Sequence, residues 1–402
     1  MRFFKDLSLS AFTAGFVAVL VGFTSSVALV FQAAQAFTAD PQVIASWMWA
    51  LGLGMGLCCW LPSLWWRRPV MVAWSTPGAA VLAAAGLGGG FSMGEAVGAF
   101  LVSASLVVLF GATGWFERAL NRIPVAIASA LLAGVLTRFG LQAFSAAKTA
   151  PGLVVAMLLA YLLSRRYLAR YAVVITLAVG LCWVSALGHF SLATVQFELA
   201  RPVLITPEFS LGALVSLAIP LFVVTMASQN LPGVVAIQAA GYGGRDGIPV
   251  SKVITLTGLV TLVLAPFGAY ALNLSAITAS ICMGPEAHRD PARRYSAAVV
   301  CGLLYVLIGL FGGAVTSVLS AFPTALVATI AGLALLGSIG GGLASALAHE
   351  PHREAALITF LVTLSGVVLW DVGSAFWGVV AGILALFIQH GRFWVEPTRT
   401  AS

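Results

Sequence analysis

The stretch that decides the fold runs from residue 69 to residue 86, PVMVAWSTPGAAVLAAAG. Its first half alternates as a strand does, with Val70, Val72 and Trp74 set against Met71 and Ala73. Thr76-Pro77-Gly78 then marks a helix start, and small residues carry on as a short helix. The surrounding chain is apolar: of 402 residues, 60% are hydrophobic and only 8% charged, and the mean hydropathy is +1.03. No soluble domain of this size hides that much apolar surface, so the solvent of the fold is a bilayer. Half a strand and half a helix therefore sit where a complete membrane-spanning helix is expected.

The N-terminal stretch MRFFKDLSLS opens with charge like a signal peptide, but the apolar run behind it is too long and lacks a cleavage site. It reads as the first of fourteen spans. With the N-terminus cytoplasmic, seventeen of the twenty Lys and Arg residues face the cytoplasm, leaving Arg138, Lys148 and Arg201 outside. An error of one span reverses the later loops and spoils that asymmetry, so both termini are expected inside. The basic residues form scattered loop pairs and no stripe, which argues against nucleic acid.

Chemistry of the enzymatic kind has no support. The five cysteines lie in apolar segments without ligand spacing, and the five histidines fall at loop edges. GLGGG at 86–90 lacks the Lys-Ser/Thr of a phosphate loop. No enzyme activity, metal or cofactor is expected.

The chain repeats itself at a spacing near 200 residues. NRIPVAIASALLAG (121–134) is similar to SAFPTALVATIAG (320–332), and SSVALVFQAAQA (25–36) to SQNLPGVVAIQAA (228–240). The opening stretch pairs with PFGAYALNLSAITAS (266–280). Three matches in order at nearly one spacing mean an internal repeat. Seven spans per copy is an odd number, so the second copy runs inverted through the membrane. The fold class expected is an all-α polytopic protein of fourteen spans, a seven-plus-seven inverted repeat. Spans 3 and 10 are broken by short extended segments, 70–76 and 267–273, paired antiparallel. Each hands over to a half-helix, starting near Pro77 and near Ser275, whose free N–H groups and positive dipole end favour an anion.

Polar side chains inside the spans are few. Span 1 offers Ser25 and Ser26; span 8 offers Ser228, Gln229 and Asn230 just before a helix-bending Pro232-Gly233. The broken spans add Ser75, Thr76, Asn273 and Ser275. A lone serine in a membrane helix usually serves interhelical hydrogen bonding. Three consecutive polar residues before Pro-Gly favour a site. No Asp, Glu, Lys or Arg lies near the middle of spans 1, 3, 8 or 10.

MASQNLPG (226–233), NLSAITASICMGPEAHRDPARRY (273–295) and AWSTPGAA (73–80) resemble the bacterial benzoate membrane transport family, over essentially the whole chain. That family is similar in fold to uracil and nucleobase–ascorbate permeases and to sulfate/bicarbonate transporters. The resemblance implies a core domain of 1–112 (spans 1–4) and 210–316 (spans 8–11). It implies a gate domain of 113–190 (spans 5–7) and 317–402 (spans 12–14, with a cytoplasmic tail), and an external loop, 191–209, between the repeats. It implies a bacterial inner-membrane transporter importing benzoate or a close aromatic carboxylate by proton symport, with lipid as solvent. A homodimer is compatible with it. The glutamates that proton-coupled uracil permeases carry on spans 8 and 10 are absent here, which suits a carboxylate better than a nucleobase. A nucleobase permease of the same fold and a passive anion channel are the alternatives. The expected binding residues are Ser25, Ser26, Ser75, Thr76, Gly78, Ser228, Gln229, Asn230, Asn273, Leu274, Ser275 and Ala276. Phe23, Trp74 and Tyr270 are candidates for ring contact. Gly78 is expected to let the anion approach the half-helix through open space. A proton relay is expected at Glu95, Glu286 or Asp371.

Cysteine labelling tests the topology: positions in 67–68, 165–170 and 289–294 should react from the cytoplasm and positions in 191–208 from outside. External reaction at position 290 would break the fourteen-span count.

Overall fold

The computed structural model describes residues 3–390 apart from 4–5, 25, 39, 88–89, 115–124, 169–170, 189–197, 245–246, 286, 368 and 370–373. The first half begins with α1 (Leu9–Thr24) and α2 (Val27–Gln35), bent 41° from one another. α3 (Pro41–Trp66), β1 (Val72–Trp74), α4 (Thr76–Leu87) and α5 (Met93–Ala112) follow. α6 (Val125–Ser145), α7 (Pro151–Tyr167) and α8 (Ala172–Ala186) complete that half. The second half opens with one helical path over 211–239 (α9), then α10 (Val250–Leu264), β2 (Leu272–Leu274) and α11 (Ile277–Met283). α12 (Tyr295–Leu310), α13 (Gly312–Ser320), α14 (Thr324–Leu347), α15 (Arg353–Ser365) and α16 (Ser374–His390) end the order. Among the described residues seven helices are long and apolar enough to cross a membrane, or eight if α1 and α2 form one bent span. The chain is a helical, polytopic membrane protein.

The two strands pair antiparallel, Val72 with Leu274, Ala73 with Asn273 and Trp74 with Leu272. Each is preceded by a residue in the left-handed region, Arg67 (φ 50°) and Gly268 (φ 106°). At Gly268 only glycine fits, because a Cβ would run into the Trp47 ring. The second extended segment therefore starts later than the expected 267: residues 265–267 form a tight 3₁₀ turn closed by Gly268. The half-helices begin at Thr76 and Ile277. The first span, expected from its long apolar run, is two helices with a bend between them.

α9 holds two π turns, Leu214–Ala218 and Met226–Asn230. Each ends two residues before a proline, Pro220 and Pro232. A proline has no N–H to give the carbonyl four residues back and its ring crowds that carbonyl. The carbonyls concerned belong to Ser216 and Ser228, the middle residue of each π turn. Widening the turn relieves the crowding without ending the helix.

Packing falls into two groups. α3 crosses α12, and α5 crosses α10; α1 packs on α11 and α12, and α9 on α4 and α5. The second group joins α6 to α14, α6 to α15, α7 to α14, α7 to α8 and α15 to α16. The α3–α12 crossing is close enough that a Cβ on Gly52 would lie 2.6 Å from the Gly309 Cα. Gly52→Ala should force these helices apart at about 1–3 kcal/mol, lowering the melting temperature of the detergent-purified protein. Gly340→Ala, where a Cβ meets nothing within 4 Å, should not.

Candidate functional site

A two-stranded ribbon leaves every second N–H of each strand pointing outward. In a bilayer each such group needs a protein partner. α3 supplies a stripe of them at four-residue spacing. The N–H groups of Val70, Val72 and Trp74 donate to Ser63 Oγ (3.0 Å), Cys59 Sγ (3.1 Å) and Met55 Sδ (3.1 Å). Four helical residues rise about 6 Å and two strand residues about 6.6 Å, so the stripe and the strand edge stay in step. On β2, the Leu274 N–H donates to Asn230 Oδ1 (2.9 Å) and the Leu272 N–H to Thr261 Oγ1 (3.4 Å).

Ser75, where β1 becomes α4, is saturated. Its N–H donates to the Ala271 carbonyl (2.8 Å). Its Oγ accepts from the Gly78 N–H (3.0 Å) and from Thr225 Oγ1 (3.0 Å). Its carbonyl accepts from the Tyr270 hydroxyl (3.2 Å). The Asn273 amide faces inward, its oxygen taking the Ser75 N–H (3.0 Å) and its nitrogen donating to the Leu274 carbonyl (2.9 Å). At the other end the Ser275 N–H donates to the Met71 carbonyl (3.0 Å) and Thr278 Oγ1 to Ser275 Oγ (2.7 Å). Toward the break in the first span, Trp74 Nε1 donates to Ser26 Oγ (2.7 Å), with the Phe23 and Trp74 rings 5.3 Å apart.

These contacts divide the residues that sequence singled out. Ser75, Asn230, Tyr270 and Asn273 are wholly buried, and Leu274 nearly so. They build the ribbon and offer nothing to a ligand. Tyr270 packs against Trp47 and Phe100 behind the strands, so it is no ring contact for a substrate. Gly78 does not border open space: a Cβ there would meet Leu221 at 2.7 Å and the Ser75 side chain at 2.8 Å. Its smallness serves the α4–α9 contact. Thr76, Ser228, Gln229 and Ala276 are half-buried, and Ser26, Trp74 and Ser275 are nearly covered. Glu95 belongs to a capping box with Ser92, whose hydroxyl also donates to Glu208 (2.7 Å), so its carboxylate is occupied at a helix start. Ser25, Glu286 and Asp371 lie outside the described residues. Sequence reading missed Met55, Cys59, Ser63 and Thr261, and gave Thr225 only as one of the polar residues of span 8. The 55/59/63 spacing beside an alternating segment was the available signal.

The match to a family model, described as benzoate membrane transport protein, runs over residues 5–388. The chain belongs to the benzoate membrane transport family. This is a family of membrane transporters and not of enzymes. The chain is 48% identical over 385 residues to the inner membrane protein YdcO of Escherichia coli K12, covering 94% of this chain and 97% of that one. It is 39% identical over 384 residues to a benzoate membrane transport protein of Acinetobacter baylyi, covering 96% of each. In fold it is similar to the transmembrane domain of the cyanobacterial bicarbonate transporter BicA, with a TM-score of 0.56, 13% identity and coverage of 96% and 97%. It is also similar to SLC26A9, with a TM-score of 0.56, 11% identity and coverage of 93% and 65%.

The division into framework and accessible residues is testable. Asn230→Ala strands the Leu274 N–H and should lower stability by about 1–3 kcal/mol, seen as a fall in the melting temperature of the purified protein. Gln229→Ala, one residue earlier, should melt with the parent. Equal melting of both variants would mean that Asn230 does not hold the ribbon.

Proposed function

We propose that the chain is a secondary active transporter that imports benzoate or a closely related aromatic carboxylate across the bacterial inner membrane by proton symport. The family and the Acinetobacter relative's description support the substrate class. The Escherichia coli relative's description supports the membrane.

The geometry that carries the reading is the pair of helix starts at the two ends of the ribbon. The backbone N–H groups of Thr76 and Ala276, both half-buried, have no partner among the described residues. Free N–H groups at a helix start favour an anion. Along the ribbon Ser75 and Ser275 are offset by four residues, about 13 Å, so one carboxylate meets one end directly. α4 has twelve residues and α11 seven, which makes the α4 end the stronger dipole. The carboxylate takes the Thr76 N–H and hydroxyl, and the α11 end contributes through its field. Phe23 and Trp74 contact the ring. Ser228 and Gln229, on a turn widened by Pro232, complete the polar wall with Ser26, Ser275 and Ala276.

The architecture proposed around this site has fourteen spans in two inverted sets of seven, with both termini cytoplasmic. The helix packings support it, because they come in matched pairs: α3–α12 with α5–α10, α6–α15 with α7–α14, α7–α8 with α15–α16, and α1–α11 with α4–α9. The strands, at Val72 and Leu272, lie one repeat apart. The first packing group is then a core and the second a gate, and the core moves against the gate.

Uptake of radiolabelled benzoate into proteoliposomes tests the function. Accumulation should be saturable, should collapse when the inward proton gradient is removed, and should be untouched by excess uracil. Gln229→Ala should weaken apparent affinity roughly five- to hundredfold. Accumulation indifferent to the gradient would mean passive flux, and competition by uracil a nucleobase permease.

A further inference from the structure

A cavity of about 800 Å³ is lined by residues outside the ribbon. Three separate parts of the chain line it: Asp40 to Ala45 at the start of α3, Glu198 to Arg201 in the segment between the two halves, and Gly313 to Ala321 in and after α13. In the fourteen-span topology all three are external, so the cavity opens to the outside. The volume is in the range of small-molecule sites.

Two of its groups have no partner among the described residues. The Arg201 guanidinium, on an exposed residue, makes neither an ion pair nor a hydrogen bond. Thr316 is 2% exposed, and its hydroxyl, buried, finds no hydrogen-bond partner. A buried hydroxyl without a partner costs about 1–3 kcal/mol, and a turn of the Thr316 side chain toward the cavity it lines would let a ligand oxygen satisfy it. Two carboxylates share the cavity. Asp40 Oδ1 is engaged by the Gln42 N–H (2.9 Å), capping α3. The Glu198 backbone carbonyl closes over Gly313, 3.0 Å from where a Cβ there would stand.

From this we infer that the cavity is an external docking station for the substrate. Arg201 captures the carboxylate of an incoming aromatic monocarboxylate and Thr316, turning toward it, donates a second hydrogen bond, before the molecule moves on to the ribbon. The inference rests on the transport reading above. Glu198 and Asp40 hold the station's affinity down, which suits a place of passage: a tight outer site would retain the anion it is meant to deliver. A charge of this kind acts through encounter rate and is weakened by salt.

Initial rates of radiolabelled benzoate uptake, measured against concentration at low and high ionic strength, decide it. At low ionic strength Arg201→Gln should raise KM roughly fivefold with kcat unchanged, and the difference should shrink in high salt. Arg201→Lys should recover most of the loss, Glu198→Gln should lower KM below the parent's, and Thr316→Val should raise it. An unchanged KM for Arg201→Gln, or a loss of kcat alone that salt does not alter, overturns the station while leaving the transport reading standing. Absence of benzoate uptake by the parent overturns both.

Discussion

Everything at the centre of this protein follows from the cost of an unpaired backbone N–H in a bilayer. A span interrupted by a strand gives up the internal hydrogen bonds that make a helix acceptable there. One ribbon partner restores only the inward half of them. The outward half is met by side chains, and the geometry of two repeats, four residues on a helix and two on a strand, lets α3 do this along one edge of β1. Sulfur and small hydroxyl groups are the fitting choice. Cys59 and Met55 accept weakly and keep the surroundings apolar, where a carboxylate would bring a buried charge. On β2 the same duty falls to Thr261 and Asn230, from two different helices. The ribbon is thus a backbone structure supported from outside, and the N–H groups of Thr76 and Ala276 at its ends have no partner among the described residues.

The support reaches further than the ribbon. The segment at 200–210 has no regular secondary structure, yet it is tied down at nearly regular intervals. Ala200 N–H donates to the Leu310 carbonyl, Val203 N–H to Ser46 Oγ, Ile205 N–H to the Pro266 carbonyl and Glu208 N–H to the Gly94 carbonyl. These partners lie at the end of α12, near the starts of α3 and α5, and in the turn before β2. One strand of chain therefore joins the ends of the helices that carry the ribbon, with none of these ties reaching the α6–α8 and α14–α16 group. Relative motion costs least where the fewest polar bonds must break. In the proposed division into core and gate, the boundary between the two groups is that place, and the interior of the ribbon-bearing group is not.

How much of this the sequence disclosed depends on whether the signal was local. The strand-then-helix break at 69–86 could be read because alternation, proline and glycine act within a few residues. That the helix is irregular ahead of Pro232 was readable for the same reason, although its form, a π turn centred on Ser228, was not. The second strand was misplaced by several residues because Phe267 and Gly268 alternate like strand residues, while their turn is imposed by Trp47, some 220 positions away in the chain. Tyr270 and Asn273 looked like ligand contacts for a similar reason. Polarity in an apolar span marks a need for partners, and sequence alone does not say whether the partner is a substrate or a neighbouring strand. Gly78 was misjudged in the same way: a missing side chain leaves room, and here Leu221 fills it.

The neutral character of the ribbon ends bears on how a proton would be coupled. A carboxylic acid with a pKa of about 4 is ionised by roughly a thousand to one at neutral pH, so the anion is the species presented. Donors aimed at a carboxylate stabilise its charged form and lower its pKa further. In the proposed site, protonation of the substrate at the α4 start is therefore opposed by the same N–H groups that would bind it. The wholly buried polar groups of the ribbon, Ser75, Asn230, Tyr270 and Asn273, are already committed to one another and to the backbone. Glu95 is committed to Ser92. In the proposed symport the proton consequently rides on a group away from the anion's donors. Coupling then depends on the motion between the two packing groups, and direct transfer to the bound carboxylate is not required.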